Sequence, residues 1–461
     1  MTVADRAGRT ERADRTDRPN RRDHPDRADR ADRMIPAGRT DRTTDRTGVT
    51  SRTGRVSQTG QANQTGQTKW AGRVEAEKAG RGDGTRGGNM RAEVIQERAA
   101  HGDGEADEAL VLARVETFRR RRPRALGEVV TAAHGAGGSA SAELIEAVFV
   151  DAFRNPALDA LGDGAVLPLP SGESLAFSTD SFVVRPLRFP GGSIGDLAVH
   201  GTVNDLAMTG ARPLWLSAAF VIEEGFPVDE LRRVAGDMAE AARAAGVEVV
   251  TGDTKVVDTG AADGLIVTTA GVGLVPPGRQ LSARRVRPGD RVLVSGTIGE
   301  HGMAVMIARG NLAIDAAIRS DTAAVNALVE ELLAAAPSTR WLRDPTRGGV
   351  GTACNELARD SGLGVLLDEC SVPVRPDVRG ACELLGIDPL HVANEGRFLA
   401  VVPPEQAPAA LAALREHPRG RSAAVIGEIT EGPAGIVAMR TALGGTRIVD
   451  MLVGDPLPRI C

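Results

Sequence analysis

Apolar and polar positions follow two periods along most of this chain, and the pattern begins near Val129. Apolar residues spaced three and four apart predict helices, whereas short apolar runs between Gly-rich turns predict strands. The predicted helices cover residues 143–153, 196–209, 229–245, 302–310, 322–335, 350–360 and 405–416. The predicted strands cover residues 175–177, 182–184, 214–222, 247–250, 265–274, 292–295, 364–367, 397–402 and 423–428.

These elements fall into two halves of similar alternation, which are separated near residues 284–290, where Arg, Pro and Gly are concentrated. We therefore predict an α/β (α+β) protein with two domains, residues 129–280 and residues 287–440. Residues 441–461 are predicted to form a flexible tail, because they contain Gly454, Pro456 and Pro458 and little apolar periodicity.

Residues 1–124 have a different composition, which is rich in Arg, Asp, Thr and Gly. Residues 26–33 repeat an Asp-Arg-Ala unit. A three-residue repeat matches neither a helix nor a strand, and the segment has too few apolar side chains to offset its ordering entropy. We predict a disordered extension. Two explanations remain open: a solvated tail, or a partly untranslated segment with Met34 or Met90 as the start. In either case, a chain that begins at Met90 or near Arg124 is expected to fold and act.

The amino-acid composition limits which partners and locations are expected for the protein. Hydrophobic residues make up 42% of the chain and charged residues 25%, with a net charge of -5, so nothing favours nucleic acid or a membrane surface. Aromatic residues are only 3% and Tyr is absent, so the core must consist of Ala, Val, Leu and Ile. No apolar run approaches the roughly 18–20 residues that span a bilayer, and the first residues lack a secretory pattern. A cytoplasmic location is expected.

The four cysteines have no spacing typical of a zinc site or of a C-x-x-C pair. Cys354 and Cys382 fall in predicted helices and are predicted to be buried small hydrophobic residues. Cys461 differs because it is the last residue, after Pro458, Arg459 and Ile460. Residues 454–461 could span up to about 26–29 Å when extended, which would let this thiol move between two sites.

Aspartates recur in the first half within segments rich in Gly, Ser and Thr, which we interpret as turns. They are Asp163, Asp180, Asp205, and Asp253 with the nearby Lys255. The Asp163, Asp180 and Asp253 segments each border a predicted strand, and carboxylates at strand ends can converge on one side of a sheet. Such oxygens suit Mg²⁺, which binds a few carboxylates and leaves room for phosphate oxygens.

Gly-rich loops precede several predicted helices, where exposed backbone N–H groups favour phosphate. The loop containing Gly191 and Gly192 leads into the helix at 196–209, and a second loop covers residues 134–139. In the second half, residues 343–350 place two Gly before a helix, with two Arg beside them. Glu395 comes just before a strand and could point into a cleft.

Together these motifs resemble the HypE family of hydrogenase maturation factors, the carbamoyl dehydratases within the aminoimidazole ribonucleotide synthetase-like (PurM-like) superfamily. The likeness runs in order from about Val129 to Cys461. It rests on residues 134–138, 179–181, 201–213, 251–256, 343–349, 394–396 and the terminal Pro-Arg-Ile-Cys. Single motifs also occur in selenophosphate synthetase and thiamine-monophosphate kinase, but their combination with this terminus is specific to HypE.

The resemblance implies a PurM-like homodimer that uses ATP and Mg²⁺. It further implies that a carbamoyltransferase, HypF, loads a carbamoyl group onto Cys461, that ATP drives dehydration to a thiocyanate, and that cyanide passes to iron on HypC–HypD. Lys255 and Glu395 are then expected to serve the dehydration. Cofactor binding is expected at Asp163, Asp180, Gly191, Gly192, Asn204, Asp205, Asp253 and Asp344, and metal binding at Asp163, Asp180 and Asp253.

One turn departs from the family pattern. The usual Asp/Glu-Asp-Ala-Ala appears here as Gly162-Asp163-Gly164-Ala165, so any ligand role at this turn depends on Asp163 alone. Two other functions remain open. The chain could be another ATP-dependent kinase or synthetase of the superfamily that acts on a small molecule, or a non-catalytic carrier that presents Cys461.

Overall fold

The computed structural model describes residues 128–310 and 316–452, all within one structural unit of the chain. The predicted extension at 1–124 and the terminal Cys461 lie outside the described residues. Within them, helices and sheets form the two halves that the sequence predicts, so the α/β prediction is confirmed. No helix in the described ranges is both long and apolar enough to cross a membrane.

The first half is built on a five-stranded sheet that is covered on one face. Its strands, in spatial order, are β1 (Ala165–Pro168), β2 (Ser174–Phe182), β7 (Leu265–Val275), β5 (Arg212–Glu223) and β6 (Glu248–Val257). Only the β5–β6 pair of this sheet is parallel. Every second residue of β7 is buried, which is the pattern of a sheet with one packed face.

Two helices cover that face, and their ends follow local signals. Helix α2 (Ile194–Met208) follows the short hairpin β3 (Arg188–Phe189) and β4 (Gly192–Ser193), and the Ser193 hydroxyl caps it by accepting a hydrogen bond from the Asp196 N–H. Helix α3 (Val228–Ala245) ends at Gly246 in the left-handed conformation. Helix α1 begins at Ser139–Leu144, continues through a π-helical stretch and ends with Asp151–Phe153.

The second half contains a seven-stranded sheet and five helices. The strands, in spatial order, are β14 (Thr446–Ile448), β13 (Val437–Arg440), β10 (Gly364–Asp368), β12 (Ala424–Thr430), β8 (Arg291–Val294), β11 (Leu399–Val402) and β9 (Trp341–Arg343). The helices are α4 (Glu300–Ala308), α5 (Asn326–Ala335), α6 (Gly349–Ser361), α7 (Pro376–Leu385) and α8 (Ala407–Glu416).

One apolar cluster joins the two halves. It combines Ile194 and Leu216 from the first half with Met303 and Val392 from the second, and all four side chains are buried. Because protein interiors are close-packed, this shared core holds the halves in one relative position. Functional groups that face the boundary from either side are therefore brought together.

Several predicted turns are wrong. Residues 178–181 lie inside β2 and residues 251–255 lie inside β6. Residues 202–205 lie inside α2, in agreement with the helix predicted over 196–209 and not with a turn. Polar side chains suggested turns in the sequence, but pairing with neighbouring strands makes the first two extended, and Thr readily adopts that conformation. The helix predicted around Cys382 is α7, and Pro376 at its start and Gly386 after its end are typical boundary residues.

The start of the predicted flexible tail is also wrong. Strand β14 pairs with β13, and Val449 is only 1% exposed, so the chain stays anchored beyond residue 441. Gly444 has a positive φ and lies in the turn of this hairpin, where the Thr441 N–H donates to the Gly445 carbonyl at 2.7 Å. These glycines therefore form a tight turn rather than a hinge. The last described residue is Leu452.

Candidate active site

Three aspartates from both halves meet at the boundary. Asp163 precedes β1, Asp205 lies in α2 and Asp344 follows β9, and their carboxylate oxygens lie within 4.8 Å of one another. Within the described ranges, this is the acidic group whose geometry would accept a metal ion. We call it the carboxylate cluster.

Two polar side chains, those of Arg343 and Ser178, contact the carboxylate cluster. The Arg343 guanidinium lies 2.8 Å from Asp163 and 2.7 Å from Glu356, so it is paired on both sides. The Ser178 hydroxyl lies 2.7 Å from Asp205 Oδ2 and 2.9 Å from the Asp163 carbonyl oxygen. Ser178 faces the helices because it is on the covered side of β2, which is why its position within a strand matters.

Burial and repulsion between like charges dominate the electrostatics of the site. Burial raises the pKa of Asp163 to about 6, although Arg343 opposes the shift. The pKa values of Asp205 and Asp344 are raised well above the ordinary range, first by burial and then by neighbouring carboxylates. Burial also raises the pKa of Asp180. A cation at the cluster would relieve this repulsion, so these residues fit the Mg²⁺ that the sequence implied.

Glu395 comes from the second half and faces the same group of charges. Burial raises its pKa well above the ordinary range, and Asp344 and Asp180 raise it further. Its loop is held firmly. The Asn394 side-chain amide donates to the Pro345 carbonyl at 2.9 Å, and the Glu395 N–H donates to Asp321 Oδ1 at 3.2 Å. This carboxylate can therefore act as a fixed proton acceptor once it is ionised.

Asn204 joins the two halves through its side chain. Its Nδ2 donates to the carbonyl oxygens of Ala323 at 3.0 Å and Glu395 at 3.2 Å, while its Oδ1 accepts from the Val325 N–H at 2.8 Å. In this structure Asn204 supports the Glu395 loop, and its predicted contact with a nucleotide stays a prediction.

Gly191 and Gly192 lie in the β3–β4 hairpin, where they permit close packing against the second half. Gly191 has a φ of +100°, and an added Cβ would lie 2.7 Å from the Ser320 backbone nitrogen. Thr322 leaves equally little space beside Gly192. The structure thus gives both glycines a packing role, and their predicted role in nucleotide binding is not tested by it.

Asp253 and Lys255 lie away from the carboxylate cluster, on the edge strand β6. Asp253 pairs with Ala219 across the sheet and Lys255 pairs with Val221, which places both side chains on the uncovered face. Asp180 instead belongs to the covered face, with Ser178. Within this one chain the predicted metal set of Asp163, Asp180 and Asp253 is therefore not assembled, and that set remains a prediction.

The chain returns to the site at its C-terminal end. The Leu452 carbonyl accepts a hydrogen bond from the Ser139 N–H at 3.3 Å, beside the Gly-rich loop at 134–139. The same loop packs on Arg347, since an added Cβ at Gly137 would lie 2.6 Å from Arg347 Cβ. The positive charge of Arg347 partly offsets the rise in the pKa values of Asp180 and Glu395 that burial causes. The last described residue, Leu452, thus lies beside a loop that contacts Arg347.

The cysteines other than Cys461 take no part in this arrangement. Cys354 and Cys382 are buried, as predicted, and burial raises their pKa values to about 12 and about 11. Sequence reasoning missed the supporting roles of Ser178 and Asp321. Neither residue has a recognisable local signal, because each acts through a partner that is distant in the chain.

Family models match most of the region from β1 to β13. The N-terminal domain of AIR synthase related proteins matches residues 161–275, and the C-terminal domain of the same proteins matches residues 287–440. Thiamine monophosphate kinase from Aquifex aeolicus shares the fold, with a TM-score of 0.50 at 19% identity over 67% of this chain and 97% of that chain. The PurM-like fold that the sequence implied is confirmed.

This chain also matches more specific relatives, and these matches cover nearly the whole length of each relative. The carbamoyl dehydratase HypE of Rhodobacter capsulatus is 55% identical over 336 residues, which are 72% of this chain and 98% of the relative. A solved structure of HypE in complex with ATP has a TM-score of 0.61 at 48% identity, covering 71% of this chain and 98% of that one. A solved HypE–HypF complex has a TM-score of 0.64 at 48% identity, covering 67% and 99%.

Proposed function

The chain belongs to the HypE family of carbamoyl dehydratases, enzymes of hydrogenase maturation, and from this premise we propose its reaction. It uses ATP to dehydrate an S-carbamoyl group on its own Cys461 to a thiocyanate, which supplies the cyanide ligands of the [NiFe]-hydrogenase iron. The position of Leu452 carries this proposal, because the substrate-bearing end of the chain starts beside the boundary site.

The length of the C-terminal segment supports the proposal that Cys461 moves between two sites. Residues 453–461 can span roughly 30 Å when extended, from a fixed point beside Gly138 and Arg347. A segment of this length is proposed to bring the thiol to Glu395 and also to present it outside the protein. A partner that loads the carbamoyl group and a site that dehydrates it can thus act in turn on one cysteine.

The carboxylate cluster is the proposed site for Mg²⁺ and the ATP phosphates. Asp163, Asp205 and Asp344 offer oxygens within 4.8 Å of one another, and a cation there would offset the repulsion between neighbouring carboxylates that contributes to their raised pKa values. Bound Mg²⁺ would neutralise phosphate charge. The solved relative in complex with ATP supports nucleotide binding by this chain.

The proposed chemistry removes one water from the carboxamide. The amide oxygen receives the γ-phosphoryl group of ATP, with release of ADP, and one nitrogen proton departs. The oxygen thereby becomes part of a good leaving group. The second nitrogen proton is then removed as phosphate leaves and the C≡N bond forms. Glu395 is the proposed acceptor of these protons, and its raised pKa makes it a stronger base once ionised. Lys255 is proposed to stabilise phosphate charge or relay a proton.

Partners complete the proposal. HypF is the proposed carbamoyl donor, which is supported by the solved complex of HypE with HypF. The HypC–HypD complex is the proposed cyanide acceptor. A second copy of this chain is the proposed partner at the uncovered sheet face, where Asp253 and Lys255 lie. That arrangement would give these two residues a place in a composite site.

Intact mass spectrometry tests the role of Cys461. After incubation with the carbamoyl donor, the wild-type chain is expected to gain one carbamoyl group, and addition of ATP and Mg²⁺ should remove one water. Cys461→Ser should gain no carbamoyl group. Cys370→Ser is the matched control, because Cys370 is a free, exposed cysteine elsewhere and its loss should change nothing.

A second pair of variants separates loading from dehydration. Glu395→Gln should accept the carbamoyl group normally but lose water about 10²–10⁴-fold more slowly, whereas the exposed Glu405→Gln should behave as wild type. ATP-dependent product formation by Cys461→Ser would instead identify another kinase or synthetase. Absence of ADP formation by the carbamoylated protein, unaffected by Asp180→Asn, would identify a non-catalytic carrier.

A further inference from the structure

A cavity of about 560 Å³ is lined by Gly191 of the first half and otherwise by residues of the second half, and four of these are arginines. It shares no lining residue with the carboxylate cluster. They are Arg319, Arg397, Arg419 and Arg421, with Asp321 and hydroxyl groups such as that of Ser320 between them. We call this space the arginine cavity. Its charge is opposite to that of the carboxylate cluster, so the two sites select different ligands.

Arg397 forms the floor of the arginine cavity and is held in a fixed orientation. Its side chain is only 14% exposed, and its Nε donates to the Thr297 carbonyl at 2.9 Å. Gly296 makes the space for it, because a Cβ there would lie 2.8 Å from Arg397 Nε. The nearest carboxylates, Asp321 and Glu300, lie at 3.7 and 3.9 Å, which is too far for hydrogen bonds.

The rim of the cavity carries uncompensated positive charge. Arg319, Arg419 and Arg421 are exposed at the mouth, and within the described ranges none of them has a carboxylate within 4.0 Å. Burial and the charge of Arg397 lower the pKa of Arg419, as expected for two guanidinium groups that repel each other. The remaining carboxylate oxygen of Asp321 is buried with no hydrogen-bond donor.

We propose that the arginine cavity binds a small phosphate-bearing molecule through its phosphate group. Guanidinium groups match phosphate oxygens in pairs, and the hydroxyl group of Ser422 adds a further donor. The volume accommodates a phosphate with a small attached group. The proposal goes beyond the dehydratase reaction, in which phosphate belongs at the carboxylate cluster.

The floor of this cavity also touches the loop that carries Glu395. Asp321 Oδ1 accepts a hydrogen bond from the Glu395 N–H at 3.2 Å, and Arg397 follows Glu395 by two residues. A phosphate that engages Arg397 would therefore act on the support of this loop. This contact gives the bound ligand a direct physical route to the dehydration site.

Isothermal titration calorimetry with inorganic phosphate and with pyrophosphate tests the proposal on the full chain. The buffer contains EDTA and little salt, so the metal-free carboxylate cluster repels both probes. Wild type should bind at least one probe, and the double variant Arg419→Gln/Arg421→Gln should bind it about tenfold more weakly or not at all. Arg379→Gln, an exposed arginine on α7, is the matched control and should bind as wild type.

Three outcomes would overturn the proposal. They are no binding of either probe by wild type, equal binding by the double variant, and equal weakening by the Arg379→Gln control. Thermal unfolding of each variant shows whether it is folded. If the double variant does not fold, Arg319→Gln replaces it, because that side chain is exposed and lies outside the apolar core. Binding unchanged in folded Arg319→Gln would then count against the proposal.

Discussion

Asp205 experiences two unfavourable effects at once in the metal-free protein: it is buried, and its charged neighbours Asp344, Asp163 and Asp180 have the same sign. The Ser178 hydroxyl, 2.7 Å away, and the charge of Arg343 oppose these effects without outweighing them. Its folded-state pKa is therefore raised above the unfolded value. The stability it contributes is present below the unfolded pKa and is lost as pH rises through the folded pKa.

Asp205→Asn should therefore stabilise the protein when metal is absent. We expect a melting temperature roughly 2–4 °C above wild type at about pH 8 in EDTA, because repulsion with the neighbouring carboxylates disappears. The difference should shrink toward about pH 5, where wild-type carboxyls with raised pKa values take up protons. Differential scanning fluorimetry across this pH range measures both effects.

The control for this variant is Asp258→Asn, an exposed carboxylate at the end of β6, which should leave the melting temperature unchanged. Added Mg²⁺ should stabilise wild type but have little effect on Asp205→Asn, since the variant lacks one proposed ligand. A lower melting temperature for Asp205→Asn in EDTA would contradict the account of repulsion given above.

At the scale of elements, the β3–β4 hairpin shows how a loop can serve packing between halves. Pro190 accepts a hydrogen bond from the Ser320 N–H at 2.7 Å, so the hairpin is attached to the second half through its backbone. The next residue, Gly191, must then adopt a positive φ with Ser320 directly beside it. The hairpin leads straight into α2, which carries Asp205.

Gly191→Ala should destabilise the protein by about 1–3 kcal/mol, because the added Cβ would meet the Ser320 backbone and the positive φ is strained for alanine. Gly236→Ala is a matched control within α3, where a Cβ meets nothing within 4 Å. That change should instead stabilise by about 0.5–1 kcal/mol. Urea unfolding measures both, and equal effects of the two substitutions would refute the packing role of Gly191.

At the scale of the whole molecule, the uncovered face of the first sheet carries exposed apolar side chains that no other described residue covers. Phe177 and Trp215 lie in one row across the strands, each paired with Val272, and are 43% and 48% exposed. Asp253 and Lys255 are on the same face, beside the free edge of β6. Contiguous exposed apolar surface is typical of an interface.

Trp215→Asp should therefore convert the proposed homodimer to a monomer, because a buried unpaired carboxylate would be introduced on each side of a two-fold interface. Light scattering coupled to size-exclusion chromatography measures the mass. Leu384→Asp is the control, since Leu384 is 77% exposed on α7 in the second half and should leave the mass unchanged. A monomeric wild type, or a Trp215→Asp variant that stays dimeric, would contradict this assignment of the interface.

The sequence by itself determined the features that depend on neighbouring residues. The spacing of apolar residues located α3 and β7, whose ends carry ordinary boundary signals such as Gly246. Motif order identified Asp205, Asp344 and Glu395 as candidate site residues before any geometry was known. These features are predictable because backbone preference and motif chemistry act over a few residues.

Only the tertiary structure decided which of these groups meet. Strand register placed Asp180 on the covered face and Asp253 on the other, and it made strands of segments whose Ser and Thr content suggested turns. Packing of the two halves joined Asp163 and Asp205 to Asp344. The physical reason is that a shift of one residue reverses the face of a strand, and contacts between distant segments choose the register.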